Sequence, residues 1–139
     1  MDYNKLANQL IIHEGNRKFP YTDTTGNLTI GVGHNLTAKG LSPSQIRNIL
    51  SDDINDTVSF LGKNLPWWAG MNDDVRQRAL ADMAFNLMGK ILDFKTMLPA
   101  IQAKNWDAAA DALLASKFAQ QTGIRAIHLA SMIRTGKDF

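Results

Sequence analysis

The sequence predicts a predominantly α, α+β protein with one small β element near its front. Two observations carry this. Most of the chain places apolar residues at helical spacing, punctuated by capping residues. One stretch, residues 21–33, breaks that pattern: a turn signal leads into residues 28–32, which alternate with the period of a strand. A third observation sets the scale: 139 residues, 45% hydrophobic and 20% charged, describe one ordinary globular domain and exclude disorder. Such a chain should bury roughly two-thirds of the surface its unfolded form exposes. With no cysteine it carries no disulfide, no thiolate zinc site and no cysteine nucleophile.

Asp2 is positioned to cap a first helix through Leu6, Leu10 and Ile11, which should end around His13-Glu14-Gly15, glycine being the usual residue past a helix C-terminus. Thr24-Thr25-Gly26-Asn27 is a turn signal, and Leu28-Thr29-Ile30-Gly31-Val32 reads as a strand, so a hairpin or small antiparallel sheet is expected. Gly31 and Gly33 weaken a strand and point to close approach of something to the backbone. Residues 35–41 form a short loop. Ser42-Pro43-Ser44-Gln45 then has the form of a capping box with proline at the first helical position. Ile46, Ile49, Leu50, Ile54, Val58 and Leu61 give the following helix an apolar side over about five turns. Leu65-Pro66-Trp67-Trp68-Ala69-Gly70 interrupts it. Further helices are expected from near Asn72, near Lys90 to Thr96, from Asn105 and from about Gly123, the last ending at Gly136.

The formal net charge of +2 and a pI near 9.0 suit an anionic polymer but are too modest to argue for nucleic acid. The first residues, Met1-Asp2-Tyr3-Asn4-Lys5, lack a basic n-region, and Leu10-Ile11-Ile12 is too short for an h-region, so no signal peptide is read. No run approaches the ~20 apolar residues of a bilayer span. A soluble protein without stable membrane insertion is expected.

The chemistry begins at Glu14, the only glutamate among 13 acidic residues. At a helix C-terminus its carboxylate opposes the helix dipole, which disfavours the charged form, as suits a general acid that must hold its proton. Asp23 follows nine residues later in the β turn, and Thr29 lies six beyond. Two carboxyl groups across a cleft are the minimum equipment for glycosidic hydrolysis, one protonating the leaving oxygen and the other activating water or attacking. Thr29 could hold a water. By spacing alone, an aspartate in a turn is most often just a turn residue.

His13-Glu14-Gly15, followed by Tyr21-Thr22-Asp23-Thr24-Thr25-Gly26-Asn27-Leu28-Thr29-Ile30-Gly31-Val32-Gly33-His34, resembles the front of the phage-type lysozymes, the T-even and lambdoid endolysin group. The resemblance continues through Val75–Leu80, Asn105–Ala109, Gln121-Thr122 and Arg134-Thr135-Gly136. It implies a lysozyme-like two-lobed fold in a single domain spanning 1–139. The β-containing lobe would be about 14–60 and the helical lobe about 1–13 plus 62–139, with a bridging helix near Ser42 to Leu61. It implies a peptidoglycan hydrolase of β-1,4 bonds between N-acetylmuramic acid and N-acetylglucosamine, inverting, with Glu14, Asp23 and Thr29 catalytic. Gly33 and Phe85 would line the substrate cleft. Arg125 would pair with the catalytic glutamate, favouring its charged form against the dipole, and His34 would pair with Asp53 in a structural role. Asp53 fits such a role, since an acid on the apolar side of a helix is costly unless paired.

The resemblance implies no cofactor and no metal, bacterial peptidoglycan as the partner, and a monomer. The protein would be made in a host cytoplasm and would reach the wall through a membrane pore. The shortened stretch between His34 and Ser42 implies a reduced β lobe, and Asn86 and Phe118 replace glutamine and tryptophan of some members. A catalytically silent wall-binding module and a tail-associated or injected component are the rival readings. His13-Glu14 is not a zinc-protease helix, because Arg17 stands where the second histidine would be. Trp67-Trp68 and Trp106 read as packing residues, and His128 as structural.

Overall fold

The computed structural model describes all 139 residues, which divide into two compact units, Met1–Ile49 and Leu50–Phe139. In the first, helix α1 (Tyr3–Glu14) starts where the Asp2 side chain accepts the Lys5 amide at 3.0 Å. It stops at Gly15, whose φ of 80° is a conformation that L side chains rarely adopt. Strands β1 (Arg17–Thr22), β2 (Leu28–Gly31) and β3 (His34–Asn35) form an antiparallel sheet in that order. Tyr21 pairs with Thr29 and Thr22 with Leu28, while Thr29 and Ile30 pair with Asn35 and His34.

The sheet begins earlier than the change of pattern at residue 21 predicts. The register of β1 is irregular between Arg17 and Tyr21, a segment that contains Pro20. Proline has no N–H to give a ladder and sits at edges and irregularities, so the periodic signal is lost there. The expected loop over 35–41 holds a single-turn helix α2 (Leu36–Lys39), capped by the Asn35 side chain on the Ala38 amide at 2.9 Å. The capping box forms as expected: Gln45 N donates to Ser42 Oγ at 3.2 Å, and Ser42 N donates to Gln45 Oε1 at 2.7 Å. It opens helix α3 (Pro43–Asn64), which crosses from the first unit into the second. The apolar side of α3 buries Leu61 but leaves Ile46, Ile49, Leu50, Ile54 and Val58 between 42 and 52% exposed.

The second unit is all helical. It adds α4 (Pro66–Ala69), α5 (Asp74–Leu87), a 3₁₀ segment (Met88–Asp93), α6 (Met97–Gln102), α7 (Trp106–Leu114), α8 (Lys117–Thr122) and α9 (Ile124–Thr135). Leu61, Leu80, Met83, Ile91, Met97, Leu113, Leu129 and Ile133 fill its core. Alanines at 79, 84, 109, 110, 126 and 130 are buried among them, and such small side chains suit close packing of α9 on α5 and α7. Helix α5 begins near Asn72 as expected, capped by the Asp73 side chain, which accepts the Arg76 amide at 3.1 Å. Helix α8 has no counterpart among the expected elements; six residues carry too little periodicity to announce it, although Ser116 caps it. Trp68 is buried, its indole N–H donating to Gln77 O at 3.0 Å, in keeping with a packing role. His128 stacks on Phe139 with centroids 4.1 Å apart.

Arg76 ties the end of α9 to the start of α5. Its guanidinium pairs with Asp73 at 2.5 Å, donates to Ile133 O at 2.6 Å and Arg134 O at 3.2 Å, and lies 4.0 Å over the Trp106 ring. Those carbonyls lie in the last turn of α9, where intrahelical partners run out. A Cβ at Gly136 would stand 2.6 Å from Arg76 Nη1, so the chain needs glycine there as well. We expect Arg76→Met to destabilise the protein by about 2–3 kcal/mol in urea unfolding, since it strands a carboxylate and two carbonyls.

Candidate active site

The sheet unit contains five of the residues singled out from sequence: Glu14, Asp23, Thr29, Gly33 and His34. Glu14 is the last residue of α1 and its side chain folds against Gly33: a Cβ built on Gly33 would lie 2.9 Å from Glu14 Oε2 and 3.0 Å from its Cδ. The close approach that Gly33 suggested is therefore made by the glutamate itself. Gly33 also has φ +66°, which L side chains rarely adopt, and a Cβ there would push the Glu14 side chain aside.

Asp23 and Thr29 flank the β1–β2 turn. Asp23 Oδ1 accepts three bonds: from the amides of Thr25 and Asn27 at 2.9 and 2.8 Å, and from the Thr25 hydroxyl at 2.9 Å. Oδ2 has no partner within the protein. The Asn27 amide above all, and then the Thr25 hydroxyl, hold the Asp23 carboxyl below its ordinary value of 3.8, because each bond favours the charged form. Thr29 is 3% exposed, and its hydroxyl donates to Asn27 O at 3.1 Å. That same carbonyl accepts the Asp23 amide at 2.9 Å. Asn27 is thus bonded to both residues, a role that sequence reasoning misses; its only sequence signal is membership of a turn. With its proton committed to Asn27, the Thr29 hydroxyl is left to act as an acceptor.

His34, on β3, places Nε2 2.7 Å from Gly40 O, at the end of α2. The remaining site residues lie in the helical unit. Arg125 on α9 is engaged within that unit: Nε donates to Asp82 Oδ1 at 2.7 Å and Nη2 to Asp82 O at 3.0 Å. Phe85, 39% exposed, lines an open concavity of about 490 Å³ with Leu50, Ile54, Val58, Asp82 and Arg125. A second shallow concavity holds Phe85 beside Asp53 and Met88. No cluster of histidine and acidic side chains could hold a metal ion. No helix is long and apolar enough to cross a membrane.

A small three-stranded antiparallel sheet in an otherwise helical chain is the make-up of a lysozyme-like α+β fold. The model of the phage lysozyme family matches residues 12–131, and the chain belongs to that family. Its membership makes it a muramidase-like peptidoglycan hydrolase. It is 28% identical to "Probable T4-type lysozyme 2" of Dictyostelium discoideum, over 96% of this chain and 95% of the relative. "Probable T4-type lysozyme 1" of the same organism is 26% identical over similar shares. The chain is also 30% identical to the pre-baseplate central spike protein Gp5 of Enterobacteria phage T4, over 94% of this chain but 28% of that protein. The alignment with the first relative spans 163 positions against 139 residues, so that relative holds segments this chain lacks.

Two outcomes follow from the geometry. Gly33→Ala should force the Glu14 carboxylate aside and lower hydrolysis of peptidoglycan by about 10–100-fold, as a misplacement of about 1 Å does. Unfolding measurements should record a cost of about 1–2 kcal/mol, from the positive φ that alanine resists. Because its folded-state pKa is depressed, Asp23 contributes stability that is present above its unfolded value of 3.8 and is lost as pH falls through the folded value. Asp23→Asn should therefore flatten the fall in stability below about pH 4; an unchanged acid slope would contradict the hydrogen-bonded turn.

Proposed function

We propose that the protein cleaves the β-1,4 bond between N-acetylmuramic acid and N-acetylglucosamine by an inverting single displacement, leading to lysis of bacteria. Glu14 gives its proton to the glycosidic oxygen as the bond to the anomeric carbon breaks. A water molecule attacks that carbon from the opposite face and gives its proton to Asp23. In this reading the attacking water donates one hydrogen to Asp23 Oδ2 and the other to the Thr29 oxygen. Its lone pair is then aimed at carbon.

The observation that carries this reading is that Asp23 and Thr29 are bound to one residue, Asn27, in the manner their shared task requires: one free carboxylate oxygen, and one hydroxyl whose own proton is already committed. Gly33 is assigned to sugar contact through its backbone and Phe85 through its ring edge. The net charge of +2 would favour association with the anionic wall.

The similarity to part of a phage spike protein supports a second mode of delivery, in which the same chemistry travels with a tail structure rather than as a free endolysin. Co-purification with virions separates the two modes.

The test of the reaction is clearing of purified Gram-negative peptidoglycan. Wild type should clear it and release reducing ends, while folded Glu14→Gln should fall by about 10³-fold, the scale of a lost general acid. Sedimentation of both proteins with the wall, with no clearing by either, would point to a binding module instead.

A further inference from the structure

The turn between β1 and β2 holds more polar organisation than an aspartate turn needs. An aspartate that only shapes its turn accepts backbone amides one or two residues on. In this turn two side chains join in. Asn27 Nδ2 donates to Thr25 Oγ1 at 2.7 Å, and Thr25 Oγ1 donates to Asp23 Oδ1 at 2.9 Å.

The order of donors follows from valence. The amide nitrogen of Asn27 can only donate, so the Thr25 oxygen must accept from it, and its single proton is then left to point at Asp23. The relay therefore has one direction, Asn27 to Thr25 to Asp23. It lands on the oxygen that already takes both backbone amides, so Oδ1 is saturated while Oδ2 stays without a protein partner. A carboxylate held by three donors on one oxygen cannot rotate freely about its last bond, and Oδ2 is fixed in direction.

We infer that Thr25 and Asn27 are positioning residues for the hydrolytic step: their side-chain relay selects Oδ2 as the oxygen that receives the water proton and holds it in place. This rests on the proposed function. It adds two side chains that act on the reaction only through Asp23. The same relay keeps Asp23 ionised at lower pH, because every bond in it favours the carboxylate. The ionisable groups on neighbouring elements of this unit include His13 and Glu14 at the end of α1, Arg17, Lys18 and Tyr21 on β1, His34 on β3 and Lys39 on α2. None of them is bonded to Asp23; Arg17 stacks on Tyr21, and His34 meets Gly40.

The test replaces Thr25 by valine, which keeps shape and removes the hydroxyl, and by serine, which restores it. Titration of the Asp23 carboxyl by NMR in the intact protein is read beside the pH profile of peptidoglycan hydrolysis. We expect Thr25→Val to raise the Asp23 titration and the acid limb of kcat together by about half a unit to one unit. We expect it also to lower kcat by about 10-fold with KM little changed. Thr25→Ser should return both midpoints toward wild type. An active, folded Thr25→Val protein with both midpoints unmoved overturns the inference, as does a shifted Asp23 titration with an unmoved acid limb. A wild type that hydrolyses no peptidoglycan overturns the proposed function and this inference with it, which distinguishes that failure from the other two.

Discussion

The backbone of Asn27 is the contact on which the candidate site depends. Its N–H binds the Asp23 carboxylate, and its C=O takes both the Asp23 N–H and the Thr29 hydroxyl. These bonds close the β1–β2 turn, and the strand register then sets Thr29 opposite Tyr21 on one side and Asn35 on the other. Thr29 is the one buried residue of the first unit. The unit with the smallest core is thus ordered by polar bonds, which are directional and fix oxygen atoms rather than volumes. Such an arrangement suits a site whose task is to aim a water molecule and a proton.

The second unit works by the opposite means. Its helices meet through buried alanines and a continuous aliphatic core, and its principal polar clamp, Arg76, serves helix ends rather than chemistry. The concavity around Phe85 is open and mostly apolar, with Arg125 and Asp82 at its margin.

Much of the fold and half of the site are legible in the residues. Asp2, Gly15, the Ser42–Gln45 box, Asn105 and Gly136 announce helix ends because each satisfies a backbone group the helix leaves unpaired. Glu14 is conspicuous as the only glutamate, and Gly33 as a glycine out of place in a strand. What stays hidden has physical reasons. Strand β1 begins at Arg17 despite a proline and an irregular register before Tyr21, and α2 and α8 are too short for periodicity. The double role of Asn27 is illegible, since nothing in the letters of a turn says which carbonyl two other residues will share. Nor does the sequence show that Arg125 engages Asp82, three residues before Phe85 and on the same helix.

Direct attack on the anomeric carbon by a water molecule aimed from Asp23 and Thr29 leaves a stereochemical record. The measurement that reads it most directly is the configuration of the first-formed reducing end, followed by NMR during hydrolysis of a peptidoglycan glycan strand before mutarotation. Direct displacement at a β-linkage predicts the α-anomer first. The β-anomer appearing first would mean a covalent glycosyl-enzyme intermediate, and would contradict a water-aiming role for the Asp23–Asn27–Thr29 turn.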